Sequence, residues 1–138
     1  MAMQFEVQYD GNLRCSSKHL PSGKIVTTDA PADKGGSDAA HSPTDLVALA
    51  LGCCILTLLG MMAKRHTWDI CGTRCTIDKE MTSIPVRRIG SLKATIVFPQ
   101  GFDLPAEERA KLESAVRACP VKQSLHPDIE LATEFVYS

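Results

Sequence analysis

Apolar residues along this chain fall into short alternating runs, broken by one long stretch that does not alternate at all. The alternating runs are Phe5 to Tyr9, Leu13 to Ser17, Lys24 to Thr28, Cys71 to Met81, Arg88 to Phe98 and Ile129 to Tyr137, and they predict six strands. The uninterrupted stretch, Leu46 to Met62, reads LVALALGCCILTLLGMM and carries no charge. It sits at the lower edge of what crosses a bilayer, but its glycines, threonine and cysteines dilute it, so a buried core helix is expected and no membrane partner. Ser42, Pro43 and Asp45 stand just ahead of it. A serine cap, a proline at the first helical position and a carboxylate that reaches back make a strong helix start. Lys64, Arg65 and His66 close the helix where cations suit its C-terminal dipole. Such a helix, apolar all round, must be covered by protein on every side.

A second, amphipathic helix is predicted from about Pro105 to Ala118, with Glu107 and Glu108 in its first turn and Leu112, Ala115, Val116 and Cys119 on one stripe. The order is then three strands, helix, two strands, helix, strand. That order lacks a regular βαβ alternation, so the fold class is α+β, with antiparallel sheets flanking the long helix. At 138 residues the length predicts a single domain over 1–138. Residues 30–41, APADKGGSDAAH, read as a small, polar, Gly-rich surface loop leading into the helix cap.

Composition narrows the function classes. A formal net charge of -1 gives no electrostatic footprint for nucleic acid. The first residues, MAMQFEVQYDGNLR, lack a cationic segment followed by an apolar one, so a cytoplasmic protein is expected. Thiols in that compartment stay reduced, which leaves the six cysteines as buried apolar residues or as redox chemistry. They form no CxxC pair. Cys71 and Cys75, four residues apart on a predicted strand, would stand about 13 Å apart, beyond disulfide or shared-metal reach. His19, His41, His66 and His126 make no metal-ligand spacing, and neither a phosphate loop nor a GxSxG elbow is present. No metal or cofactor is expected.

Two thiols carry the chemical interest. Cys119 precedes Pro120, and VKQSL beyond it opens a helical turn with the sulfur at the N-cap, where unpaired N–H groups favour a thiolate. Cys54 lies mid-helix among aliphatics, where the residues alone read first as an inert core thiol and only second as a nucleophile. Its neighbour Cys53 leaves the helix about 100° away, so the two cannot face one pocket.

The segments SPTDLVALALGCC and ACPVKQSLHPDIEL resemble the two signature regions of the OsmC/Ohr family of peroxide-detoxifying proteins. In that family an Asn-Pro or Ser-Pro cap stands twelve residues before the reactive cysteine, and counting from Ser42 selects Cys54 over Cys53. The second family cysteine corresponds to Cys119. The resemblance implies an intertwined homodimer whose sheets wrap two central helices, with active sites at the subunit interface. It also implies a thiol peroxidase: Cys54 attacks an organic hydroperoxide, becomes a sulfenic acid and is resolved by Cys119, and an external dithiol, often a lipoylated protein, restores both thiols. Well-known members carry a glutamate two residues after the cap, which orients an activating arginine. Here that position is Thr44, and Asp45 has its own capping role. Arg14 matches the arginine's neighbourhood; a solvated strand arginine is the other reading, with Arg87 and Arg88 as further candidates. Alternatives on the same fold are non-peroxidatic thiol-disulfide exchange, binding of electrophiles or other ligands, and a dimer in which both thiols merely pack.

Overall fold

A computed structural model describes residues 2–138. The described residues form two compact units, one up to Val47 and one from Ala48 to Ser138. In the first, β1 (Phe5–Gly11), β2 (Arg14–His19) and β3 (Ile25–Asp29) make an antiparallel sheet in that order. Asn12 and Leu13, at φ 53° and 61°, turn β1 into β2. Two left-handed residues match the strand twist in a tight hairpin, and asparagine adopts that conformation readily. Leucine does not, and its backbone is held from outside: its carbonyl accepts from Ala30 N at 3.1 Å, and its N–H donates to Tyr9 Oη at 3.3 Å. The register sets Val7 opposite Ser17 and Ser17 opposite Val26. Phe5, Val7, Tyr9 and Val26 therefore share one face, and all are exposed in the single chain.

The long helix α1 spans Pro43–His66. Ser42 and Asp45 cap it reciprocally, Ser42 N donating to Asp45 Oδ2 at 2.9 Å and Asp45 N to Ser42 Oγ at 3.2 Å. The helix is long and apolar enough to cross a membrane by length and composition, a property that core helices share.

In the second unit β4 (Arg74–Thr82), β5 (Arg88–Val97) and β6 (Glu130–Val136) lie in the order β4-β5-β6. Between β5 and β6 come α2 (Ala106–Ala115), a 3₁₀ turn at Val116–Ala118 and α3 (Pro120–Ser124). The pair β4·β5 is antiparallel as expected, but β6 runs parallel to β5. The reason lies in the connection: a hairpin reverses the chain, whereas a segment carrying two helices returns it to the same end of the sheet. Cys71 falls outside β4, because Gly72 at φ 93° makes a turn there, closed by Thr73 N to Ile70 O at 3.0 Å.

The core lies in this unit. Leu51, Ile55 and Leu59 of α1 meet Leu92, Ala94 and Ile96 of β5 in one cluster with Leu112, Val116 and Cys119. Gly52 permits the close approach of β4, since a Cβ there would stand 3.3 Å from Ile77 Cγ1 and 3.7 Å from Cys75 Sγ. The expected all-round cover of the helix is not supplied by its own chain. Only the stripe Ala48, Leu51, Gly52, Ile55, Leu59 and Ala63 is buried, while Leu49 and Met61 remain 45% and 56% exposed.

Leu59, at 0% exposure, tests the seam directly. Leu59→Ala should lower unfolding free energy by about 2–5 kcal/mol, read as a drop in the urea midpoint, because burial is lost and a cavity opens. A change under about 0.5 kcal/mol would mean that the cluster is not the core.

Candidate functional site

The backbone leaves the 3₁₀ turn at Cys119 with φ -55° and ψ 115°, so this residue caps α3 with Pro120 at the first helical position. Its sulfur accepts from Lys122 N at 3.5 Å. Fully buried, Cys119 closes one side of the core cluster, and the half-buried Cys54 packs against that cluster from α1. The two side chains meet: the Cys119 thiol hydrogen-bonds Cys54. Burial pushes the Cys119 thiol above its ordinary value, the hydrogen bond to Cys54 adds to the rise, and the Lys122 and Val121 amides pull against it. The N-cap geometry expected at Cys119 is present, but the thiolate expected from it is not favoured. Desolvation outweighs the amides, so Cys119 stays a protonated thiol at neutral pH. Two thiols in contact, from a helix and from a distant cap, can join as a disulfide when an oxidant removes their hydrogens.

Cys53 turns away from this pair, as successive helical residues must. It is exposed, and the thiol of Cys75 on β4 is pushed up by burial first and by Cys53 second. Cys71 is exposed in its turn, and Cys15 is half-buried on β2 opposite Tyr9 and Thr28. Among the described residues, no three His, Cys, Asp or Glu side chains gather as a metal ion would require.

Arg14 opens β2 within the first unit, directly after left-handed Leu13. Its Nη2 donates to Ser37 Oγ at 3.1 Å, and its Nε lies 3.8 Å from Asp29 Oδ2. That one carboxylate oxygen also accepts from Ser37 Oγ at 2.8 Å, Ala39 N at 3.0 Å and Ser37 N at 3.2 Å. The Ala39 amide and the Ser37 hydroxyl hold Asp29 below the usual carboxylate range, against the opposing effect of burial. Its other oxygen, Oδ1, is buried without a hydrogen-bond partner. A cavity of about 380 Å³ opens beside the group, lined by Asp10, Arg14, Cys15, Thr28 and Asp29 among others.

Arg14 thus stands beside a carboxylate, that of Asp29. The sequence reading missed Asp29 because it ends a strand with no motif around it, and only the Gly-rich loop folding back brings Ser37 and Ala39 to it. Asp45 is engaged in the helix cap. Arg88 spends its Nη1 on the Ile89 carbonyl at 2.9 Å, within its own strand.

The sequence profile of the family described as OsmC-like protein matches residues 35–134. No curated protein matches at a significant level. Among solved structures, a protein from Psychrobacter arcticus 273-4, described as an osmotic stress induced and detoxification response protein, shares 36% identity. Its alignment covers 99% of this chain and 98% of that one, with a TM-score of 0.91. An organic hydroperoxide resistance protein OsmC from Legionella pneumophila has the same fold at 12% identity, over 98% of this chain and 96% of that one, with a TM-score of 0.76. The organic hydroperoxide resistance protein OhrB of Bacillus subtilis does so at 16% identity, over 99% and 98%, with a TM-score of 0.69. The profile match and the 36% identical neighbour together show that the chain belongs to the OsmC/Ohr family.

Proposed function

We propose that this protein is a thiol-dependent peroxidase that reduces organic hydroperoxides. The contact between Cys54 and Cys119 carries the reading. The Cys54 thiolate attacks the distal peroxide oxygen, the O–O bond breaks, and the alkoxide leaves and takes up from solvent the proton that the thiol had released, becoming the alcohol. Cys54 is then a sulfenic acid. The Cys119 sulfur attacks it, the S–O bond breaks, water departs, and a Cys54–Cys119 disulfide remains. An external dithiol, such as a lipoylated protein, returns both thiols by exchange. The raised Cys119 thiol suits the second step, because a protonated resolving sulfur does not compete for peroxide in the first. The apolar surroundings of Cys54, with Leu56, Leu58 and Met62 packed around the same cluster, suit an alkyl tail over bare hydrogen peroxide.

Arg14 is assigned the activating role, its guanidinium stabilising the thiolate and the alkoxide as it forms. Asp29 supports that assignment by anchoring the guanidinium from within its own unit. A homodimer with active sites at the subunit interface accounts for two uncovered apolar surfaces: the outer stripe of α1 and the face of Phe5, Val7, Tyr9 and Val26. A cytoplasmic setting suits six free cysteines.

Fully reduced protein treated with stoichiometric cumene hydroperoxide should form a Cys54–Cys119 disulfide within seconds, seen by peptide mass mapping, and Cys54→Ser should abolish it. If both thiols stay reduced for minutes, thiol-disulfide exchange or electrophile binding becomes the better account. Arg14→Ala should slow disulfide formation by about 100-fold and Asp29→Asn by about 10-fold, measured by stopped-flow with the fold checked by circular dichroism. Unchanged rates in both variants would remove this pair from the reaction. Light scattering should give twice the chain mass, and Leu49→Lys should shift it toward the monomer; a monomeric wild type would sink the dimer.

A further inference from the structure

We propose that the groove between the α2–α3 crossover and β6 is a binding site for a small monocarboxylate with a short apolar body, of the kind a short-chain fatty acid has. The crossover breaks at Cys119, which leaves Arg117 in the 3₁₀ turn before it and Lys122 in α3 after it. Both line one groove of about 450 Å³. Its opposite wall is β6, where Leu131, Thr133 and Phe135, each two residues from the next, share one face of the strand. Among the described residues, neither the Arg117 guanidinium nor the Lys122 ammonium pairs with a carboxylate. Two like charges held in one groove repel, and an anion between them turns that repulsion into attraction.

Charge and shape together set the ligand class. Glu113 also lines the groove, and its Oε1 is already engaged, accepting from Tyr137 Oη at 3.2 Å. Two cations against this one carboxylate leave a single positive charge, which a monoanion cancels and the dianion of inorganic phosphate overshoots. The planar fork of Arg117 matches a carboxylate, Lys122 adds a point charge, and the Thr133 hydroxyl is a further donor. Leu131 and Phe135 beside these donors offer apolar contact that a bare anion leaves unused, and that contact calls for a short carbon chain. All of these residues lie outside the outer stripe of α1 and the face of Phe5, Val7, Tyr9 and Val26, the two surfaces assigned to the homodimer. The site uses neither Cys54 nor Arg14, so it stands apart from the peroxidase reading. It does share Lys122 with the Cys119 cap, through the amide that donates to the Cys119 sulfur at 3.5 Å.

Reduced full-length protein, labelled with ¹⁵N, is titrated with sodium hexanoate at constant ionic strength while the amide resonances are followed by NMR. The expected result is a saturable, single-site shift at the Lys122 and Thr133 amides. Arg117→Gln and Lys122→Gln should each weaken binding about tenfold, the loss of one charge-assisted hydrogen bond. Acetate, which has the charge without the chain, and 1-hexanol, which has the chain without the charge, should both bind at least about tenfold more weakly than hexanoate. Thr133→Trp, which fills the groove from β6 and keeps both cations, should abolish the shift at Lys122, and it decides the matter if a Gln variant fails to fold. Cys54→Ser should bind hexanoate as the wild type does, whatever becomes of the peroxidase reading. The inference is overturned if hexanoate gives no saturable shift at these amides, if its shifts are confined to α1, or if both Gln variants bind unchanged. Acetate or hexanol binding as well as hexanoate, or inorganic phosphate binding more tightly, would overturn the ligand class and the proposal with it.

Discussion

Everything in the second unit depends on one apolar seam, in which Leu51, Ile55 and Leu59 of α1 are sealed against Leu92, Ala94 and Ile96 of β5. Each fully buried aliphatic of this size contributes about 1.5–3 kcal/mol of transfer free energy. The seam also fixes the rotation of α1 about its own axis. Once Leu51, Ile55 and Leu59 face the sheet, the side chains between them have no choice of direction. Cys54 falls to the flank where Cys119 waits, and Cys53 turns outward. The redox geometry is thus a by-product of core packing.

The same seam accounts for the contrast between Cys54 and Cys119. Both touch the cluster, yet Cys119 is wholly enclosed and Cys54 only half so. An N-cap alone would favour a charged sulfur, and here it is overruled by desolvation. A cap exposed to water and the same cap sealed under Leu112 and Val116 have opposite consequences for the proton. Backbone geometry and burial must be weighed together before a thiol is called activated.

Much of the fold was legible because it rests on local signals. Alternation marked all six strands to within a few residues, and Ser42, Pro43 and Asp45 marked the start of α1. The turn at Gly72, which takes Cys71 off β4, and the parallel pairing of β6 were not legible, since one depends on a single φ and the other on the path of a crossover. The candidate site divided in the same way. The Cys119–Pro120 pair foretold the cap of α3, but only burial could show that Cys119 keeps its proton. Nothing in the string around Asp29 marks it as the anchor of Arg14, because its partners Ser37 and Ala39 arrive by the folding back of a loop.

The parallel strand β6 also governs when the thiol pair can exist. Cys119 lies in the crossover between β5 and β6, so it is held in place only when the last strand has docked beside β5. During synthesis, α1 with Cys53 and Cys54, and then the β4–β5 hairpin with Cys75, leave the ribosome before the crossover and β6 do. Non-local parallel pairing is among the slower steps available to a chain of this kind. The nascent protein therefore passes through a stage in which Cys54 has no partner. The contact between Cys54 and Cys119 is therefore among the last features of the fold to form.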